Sequence, residues 1–472
     1  MYFKFSARSL AIIIQKRKYQ MKRFLFIATI FLIFCISNAS SQQQKWTLED
    51  CINYAVSNNI GLQRQRLQTQ TAEINLFKSK MDVLPTLNLG SDVQLGFGRS
   101  VDPTSNLITF SQNLLNSFYA GSNLRVFNGF VKLNTISANK FMLKAGIEDE
   151  KVIRNTLIID IMGQYYQVLY TRGLESASKM QLELSESQLF RIEKMVETGK
   201  EALSKQFEME SRVSADKLSY TIAINTASQA LTTLKQMLQL EPGTEFDILV
   251  PDLEQVIVTE RNYNPDSVYL VAAQVLPRLK AIEFELHASK KQVAAAYGNI
   301  SPNITVGGSM STGYFNALND TSSKVDYKQQ LKNNVGQQAY VSLNIPIFNN
   351  YNTGRNIRLA KIKRDDTALR LEQEKNSLYT EVENICLNFN RGKDEFAAAE
   401  ANLKFNRRSF NAVEKKFESG LVDVTDYSAA QTTLFSAETE ALRTRLQFLI
   451  RKLTIQFYST GEYQNLTSNQ NF

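Results

Sequence analysis

The sequence predicts an α+β membrane protein in which one unit occurs twice in tandem: helix, strand, strand, very long helix and returning helix. Three observations predict it. Apolar residues recur every seven residues through much of the second half, segments of the first half reappear in the second, and four segments alternate apolar with polar residues. A period of seven is typical of a coiled-coil helix, and a period of two is typical of a strand.

The longest helix is predicted over residues 350–419. No proline interrupts it, and Gly420 stands just past its end, where glycine commonly stops a helix. At ~1.5 Å per residue such a helix is roughly 105 Å long. Its heptad positions are Val382, Phe389, Phe396, Leu403, Phe410 and Phe417, with Leu371, Leu378, Ile385, Ala399 and Val413 as companions.

The repeat is visible in matching segments at a nearly constant offset. Residues 85–90 (PTLNLG) match residues 302–307 (PNITVG) at an offset of 217, and residues 123–128 match residues 344–349 at an offset of 221. The second unit therefore carries four extra residues between its two strands, and such insertions lie in exposed loops.

The first unit repeats the pattern with a weaker seam. In its long helix Glu175 interrupts the apolar positions, and the companion positions Gln164, Thr171, Ser178 and Ser185 are polar. The first helix of each unit is predicted over about residues 48–81 and 265–297.

The whole chain then divides into a signal peptide (1–41), a first repeat (42–240; strands about 85–98 and 107–127, long helix about 129–198), a linker (241–264), a second repeat (265–460; strands about 302–315 and 337–348, long helix about 350–419) and a C-terminal tail (461–472).

Residues 1–41 have the pattern of a secretory signal peptide. Basic residues precede an apolar run from Phe24 to Cys35, which is shorter than the ~18 residues of a spanning helix. We interpret residues 1–20 as an extension upstream of a start at Met21. Phe34, in place of a small residue before Cys35, disfavours a lipoprotein signal.

Removing the signal lowers the formal charge of the chain from +8 to +1. A nucleic-acid partner is therefore not expected, because the electrostatic footprint that such binding needs is gone. The exported chain keeps Cys51 and Cys386, which lie far apart in sequence and form no disulfide framework, and whether they pair stays open at this point.

The four strands each place apolar residues on one face and polar residues on the other. In the first strand Leu87, Leu89 and Val93 alternate with Asn88 and Asp92. This period over roughly ten residues is the signature of outer-membrane strands, although a half-buried soluble antiparallel sheet gives the same pattern.

Three observations favour the membrane. Asp92 and Arg125 on the polar faces suit a water-filled lumen, the signal peptide directs the chain out of the cytoplasm, and aromatic residues stand near strand ends as an interfacial girdle would. The predicted girdle residues are Phe97, Phe110, Tyr314, Phe315 and Tyr340, and the predicted lumen residues are Asn88, Asp92, Arg125 and Asn344. Four strands cannot close a barrel, so the chain is predicted to oligomerise.

The order of several motifs along the whole exported chain resembles the TolC-like outer membrane factors, the outer membrane efflux protein family of efflux pumps and type I secretion systems. The motifs are residues 46–50 (WTLED), 84–85 (LP), 127–129 (FNG), 301–302 (SP), 348–349 (FN) and 417–427 (FESGLVDVTDY). The resemblance implies a homotrimer in the outer membrane of a Gram-negative bacterium: a 12-stranded β-barrel continued by a helical barrel across the periplasm. Residues 241–264 would form its equatorial belt.

The same resemblance implies a function and several site residues. The trimer would be a passive exit duct for substrates delivered by a periplasmic adaptor and an inner-membrane transporter of the RND, ABC or MFS type. The helix tips at Gly199, Gly420 and Leu421 would contact the adaptor. The family places two acidic residues, three apart, at the periplasmic gate: Asp426 matches the first, Ala429 replaces the second, and Asp423 stands one turn earlier.

An enzymatic function is not expected, and neither a cofactor nor a metal is predicted. The sole histidine, His287, lies in a helical pattern beside lysines, and no metal-binding cluster, nucleophile motif or phosphate loop is present in the sequence. The alternative function is a soluble periplasmic coiled-coil adaptor, which explains the long helices but leaves four amphipathic strands without a purpose.

Overall fold

A computed structural model describes residues 45–101, 106–251, 262–318 and 326–461 of the chain. The predicted signal peptide, residues 252–261 of the predicted linker and residues 462–472 of the tail lie outside these residues. The helices are α1 (Leu48–Asn58), α2 (Ile60–Met81), α3 (Val131–Glu197), α4 (Leu203–Met237), α5 (Pro265–Val275), α6 (Pro277–Gly298), α7 (Tyr327–Asn333), α8 (Asn352–Glu418) and α9 (Val424–Thr460). The strands are β1 (Thr86–Val101), β2 (Ile108–Phe127), β3 (Asn303–Ala317) and β4 (Gly336–Asn344).

The long helices α3 and α8 have the same length and the same kind of start. Each contains 67 residues, which is roughly 100 Å at ~1.5 Å per residue. Both follow two consecutive left-handed residues, Gly129 and Phe130 before α3 and Asn350 and Tyr351 before α8, with φ between 54° and 63°. The helices therefore begin two residues later than predicted, because a right-handed helix cannot include left-handed residues.

The first helix of each unit is broken, where the sequence predicted one continuous helix. Asn59 separates α1 from α2 with an extended backbone (φ −61°, ψ 122°), and its side chain caps the amide of Leu62. Leu276 separates α5 from α6 because it precedes Pro277, and a residue before proline is driven out of the helical region.

The strands form one antiparallel sheet in the order β1-β2-β3-β4. β1 pairs with β2 along its whole length, and an irregularity between Arg125 and Phe127 shifts the register of β2 against β3. β4 ends at Asn344 rather than at the predicted residue 348. Pro346 follows two residues later, and proline has no amide hydrogen with which to continue a ladder.

The second unit has a short helix, α7, between its two strands, which the sequence did not predict. β4 is too short to pair with β3 beyond Ser311, so the next part of β3 would be an open edge. The Gln330 side chain covers it by accepting from the amide of Phe315 and donating to its carbonyl, both at 3.0 Å, and Asn334 donates to the Gly313 carbonyl. The segment that contains α7 thus protects a strand edge.

The helices lie side by side in the same order as the strands from which they continue. Beside the sheet the order is α2, α3, α6 and α8; at the far end it is α4, α3, α9 and α8. The main hydrophobic core lies near the middle of the rod, where α1 and α5 pack against the long helices. Both cysteines are buried there as free thiols. A short parallel bridge between Trp46 and Ile248 ties the start of the described chain to the linker.

The heptad seam of α8 is buried as predicted at Val382, Phe389, Phe396 and Phe410. In α3 three of the four polar companion positions are buried too. Thr171, Ser178 and Ser185 are at most 3% exposed, and Gln164 donates to the Ala230 carbonyl of α4 at 2.9 Å. The seam of the first unit is therefore closed by hydrogen bonds between and within helices, in addition to apolar packing.

Candidate functional site

The two faces of the sheet differ in chemistry along its whole height. One face, called here the apolar face, carries mostly aliphatic and aromatic side chains. All of them but the half-buried Leu114 are exposed in the single chain, and so wide an exposed apolar surface indicates contact with lipid or with another protein. Its members are Leu87, Leu89, Val93, Leu95, Phe97, Ile108, Phe110, Leu114, Phe118, Val306, Met310, Val341 and Leu343.

The opposite face, called here the polar face, holds the four residues predicted to line a lumen. Asn88 and Asp92 share this face of β1, Arg125 extends it on β2, and Asn344 lies at its β4 end. Tyr340 and Phe315 also lie on it. Their assignment to an interfacial girdle was therefore wrong, because their strand positions have the parity of the polar residues. Phe97, Phe110 and Tyr314 do lie on the apolar face.

Both lateral edges of the chain are open, which matters for any closed structure. β1 and β4 are the outer strands of the sheet. On the helical part, α2 packs on α3, and its other side exposes a row with a period of seven: Ile60, Leu67, Ile74 and Met81, each 42 to 66% exposed. Our reading of the sequence missed this row, although its heptad spacing is the same signal that identified α8.

The far ends of the long helices turn in the same way in both units. Gly199 has φ +70° and Gly420 has φ +73°. At both tips the glycine amide bonds a carbonyl three residues back and the next amide bonds one five residues back: Lys200 to Met195 at 2.8 Å, and Leu421 to Lys416 at 2.8 Å. A Cβ added at either glycine would meet no atom within 4 Å. Glycine is therefore used for its backbone freedom alone.

The two tips lie next to each other in the folded chain. Arg191 donates to the carbonyl of Glu418 at 3.2 Å, and the Lys205 ammonium lies 3.8 Å from the Asp423 carboxylate. Beneath them Ile192, Met209 and Val424 form a small buried cluster. Leu421, by contrast, is 75% exposed. The two tips therefore form one surface, which packs on the buried cluster and carries the exposed side chain of Leu421.

The two acidic residues predicted for the gate stand on the first turn of α9. The Asp423 carboxylate caps the helix by accepting from the Asp426 amide at 2.9 Å, and this hydrogen bond lowers the pKa of Asp423. Asp426 is exposed in the same turn. The structure thus gives Asp423 a capping role, and it leaves the Asp426 carboxylate on the surface of the chain.

A buried polar cluster lies behind the tips, and our reading of the sequence missed it. Ser185 of α3 donates to the Asp216 carboxylate of α4, Arg212 donates to the same carboxylate at 3.0 Å, and Gln431 of α9 donates to the Ser185 hydroxyl at 3.4 Å. Ser185 and Gln431 are at most 1% exposed, and Asp216 is 6% exposed. The cluster joins three helices at one level.

Comparisons with known proteins agree with this architecture. Residues 269–459 match the model of the family described as outer membrane efflux protein. Over 335 residues, 70% of this chain and 69% of the relative, the chain is 21% identical to the toxin and drug export protein A of Aggregatibacter actinomycetemcomitans.

Solved structures show the same fold. The CmeC outer membrane channel of Campylobacter jejuni superposes with a TM-score of 0.75 at 14% identity, over 89% of this chain and 88% of that one. The open state of the MtrE outer membrane channel of Neisseria gonorrhoeae gives 0.72 at 18% identity, over 88% and 89%. Within the described residues, no helix has both the length and the apolar character to cross a membrane.

The chain thus shares the fold of solved outer membrane channels, with a strand domain and a long helical domain. The matching family model assigns residues 269–459 to the outer membrane efflux protein family.

Proposed function

We propose that three copies of the chain close into one channel. This channel is the passive exit duct of a tripartite efflux pump or a type I secretion system. The observation that carries the proposal is the sheet with one apolar face and one polar face, bounded by two unpaired edge strands. In a bilayer every backbone group needs a partner, so such a sheet is stable there only when its edges are closed by other copies.

The internal repeat indicates how copies would join. In the chain, α6 packs both on α8 of its own unit and on α3 of the first unit. The equivalent of α6 in the first unit is α2, which packs on α3 and exposes the row from Ile60 to Met81 on its other side. The contact that corresponds to α6 on α3 is α2 on α8 of a second copy. Filling every such contact closes a ring of equivalent units.

The number of copies, three, is what the resemblance to the outer membrane efflux proteins implies, since these proteins combine four strands per chain into a 12-stranded barrel. The apolar face would contact outer-membrane lipid, and the polar face, with Asn88, Asp92, Arg125 and Asn344, would line the lumen. The helices would extend through the periplasm. Residues 241–264 would form the equatorial belt between the two repeats.

At the periplasmic end, the tips at Gly199, Gly420 and Leu421 would contact the periplasmic adaptor, and an inner-membrane transporter of the RND, ABC or MFS type would supply energy and select the substrate. Asp426, with Asp423 as a helix cap beside it, would contribute one carboxylate ring to the closed entrance. The toxin and drug export protein A is a relative by sequence, and export of small molecules or of a protein fits the same duct.

Fractionation and reconstitution test the proposal. We expect a heat-modifiable trimer in outer membranes, and ion conductance when the purified trimer is inserted into planar bilayers. A soluble protein in the periplasm would contradict the proposal and would favour the alternative, a coiled-coil adaptor. Cross-linking from a photoreactive residue at Leu421, followed by mass spectrometry, identifies the partner at the tips and through it the transporter class.

A further inference from the structure

Two glycines on the polar face of the sheet each lie beneath a tyrosine ring of the neighbouring strand. Gly90 of β1 pairs with Tyr119 of β2, and Gly307 of β3 pairs with Tyr340 of β4. A Cβ added at Gly90 would lie 2.3 Å from Cζ of Tyr119, and one at Gly307 would lie 2.4 Å from Cζ of Tyr340. Carbon atoms that are not bonded approach to about 3.5 Å. Each ring therefore occupies the space of the missing side chain.

The arrangement is part of the internal repeat. Gly90 and Gly307 are 217 residues apart, and Tyr119 and Tyr340 are 221 residues apart, which are the two offsets of the repeat. In both pairs the ring leans toward the strand that precedes it in the sheet. Because the pairs are equivalent, a closed ring of three chains would carry six of them at one height of its inner wall.

The tyrosines lie along this wall instead of standing out from it. Tyr119 is 46% exposed and Tyr340 is 41% exposed, as expected for rings with one side against a strand and the other side open. A large side chain on a strand otherwise stands roughly perpendicular to the sheet. On an inward-facing barrel surface, six upright phenol rings would point toward the barrel axis.

We propose that Gly90 and Gly307 set the bore of the β-barrel by letting Tyr119 and Tyr340 lie flat on its inner wall. This inference rests on the proposed function, because it requires the polar face to line a lumen. The glycines then act as size-determining residues, and a methyl group at both positions turns six rings into the lumen. An aromatic ring over a strand glycine is also a packing device that stabilises sheets, so the test must separate the bore from stability.

The experiment measures how large a reagent can pass the ring level from outside the cell. Asn303 lies on the polar face of β3, four residues from Gly307 toward the helical domain, and serves as a reporter in the variant Asn303→Cys. Intact cells are treated with polyethylene glycol maleimides of increasing mass, and trimer is quantified on unheated gels. The unchanged chain, whose Cys51 and Cys386 are buried, shows the background labelling.

With the reporter present, the pair Gly90→Ala and Gly307→Ala is expected to abolish labelling by the largest reagent that reacts in the parent, while the smallest maleimide still reacts. Gly121→Ala is the matched control: it adds a methyl group to the same face, where the nearest atom, Cβ of Ser309, is 3.8 Å away. It should leave the size limit unchanged. Adding Tyr119→Ser and Tyr340→Ser to the alanine pair should restore the parental limit.

An unchanged size limit in an alanine pair that assembles normally would overturn the inference. If the alanine pair does not assemble, the pair Tyr119→Ser and Tyr340→Ser decides, because rings already flat on the wall leave the limit near the parental value when removed. A strongly increased limit would show that the rings themselves formed the constriction, which contradicts the proposal. Failure of even the smallest maleimide to label the Asn303→Cys reporter in an assembled trimer would instead count against the lumen and the proposed function.

Discussion

An arginine in the middle of the apolar face tests the orientation of the sheet. From Leu87 to Phe97 the apolar face of β1 extends over eleven residues, which are ten steps along the strand. This is about 34 Å along the strand at ~3.4 Å per residue, or roughly 25 Å along the membrane normal at a tilt of ~40°. That height matches the apolar band of outer-membrane barrels. Its midpoint lies next to Val93, which is 68% exposed in the single chain.

Val93→Arg should therefore cost about 2 to 4 kcal/mol per chain, and Leu87→Arg at the edge of the band about 0 to 1 kcal/mol. Leu89→Arg on β1 and Leu343→Arg on β4 should fall between them. The control is Gln94→Arg, next in sequence but on the polar face, which should be close to neutral. The assay is the denaturant midpoint for loss of the trimer reconstituted in lipid. Equal costs for Val93→Arg and Gln94→Arg would refute the orientation of the sheet.

Three further predictions concern the helical part. Gly420→Val should leave the trimer assembled, because open space surrounds the glycine. It should lower transport and adaptor cross-linking, because a left-handed φ costs valine roughly 1 to 2 kcal/mol. Normal transport together with normal cross-linking would count against docking at this tip. Asp423→Ala should destabilise the tip at neutral pH, and the difference from the parent should disappear as the pH falls through the lowered pKa of Asp423. The reason is that an acid with a lowered pKa stabilises the folded state only while it is ionised. A thermal melt at several pH values checks this, and a difference that persists in acid would contradict it. Asp216→Ala should lower the free energy of unfolding by about 1 to 3 kcal/mol, because it leaves the buried Ser185 hydroxyl and the Arg212 guanidinium without their acceptor. Denaturant unfolding measures this loss. An unchanged free energy would show that the cluster does not stabilise the three helices.

The periodic parts of the fold could be predicted from the sequence because burial follows the period directly. Val382 and Phe389 are at most 1% exposed, as a heptad seam requires. The strand faces followed from alternation alone, which also placed Asn88, Asp92, Arg125 and Asn344 on one side of the sheet. The tips at Gly199 and Gly420 were visible as glycines just past the end of a long pattern.

Features that depend on contacts across the fold could not be predicted in this way. The helix α7 lies beside the part of β3 that the shorter β4 does not reach, and Gln330 has an open edge at Phe315 to cover only after the strands pair. The role of Ser185 depends on Asp216 of another helix. Tyr340 was wrongly assigned to the girdle because it stands near a strand end. Its place in the alternation of the strand puts it on the polar face, over Gly307.

The breaks in the first helices were within reach of the sequence. Pro277 disfavours a helical conformation at Leu276, and Asn59 is a good capping residue. The apolar pattern continues across both positions and therefore predicted a single helix in each unit. In the structure α1 and α2 still pack one after the other along the long helices, and so do α5 and α6.

The central claim, that copies close through β4 and β1, has a direct test in the register of the seam. Ala120 of β2 pairs with Met310 of β3. Applying the offsets of 221 and 217 to this pair places Val341 of one copy opposite Val93 of the next. Paired strand positions have Cα atoms about 4.5 to 5.5 Å apart, which is within the range for a disulfide.

The measurement is the mass of the oxidised variant Val93→Cys with Val341→Cys on a heated, non-reducing gel. We expect a covalent trimer that reverts to monomer on reduction and no larger species, because a ring of three closes on itself. The control pairs Leu89→Cys with Val341→Cys on the same face, about 14 Å out of register along the strand at ~3.4 Å per residue, and should remain monomeric. A monomer from the Val93 and Val341 pair, or an open ladder of larger oligomers, would contradict closure into a trimeric barrel.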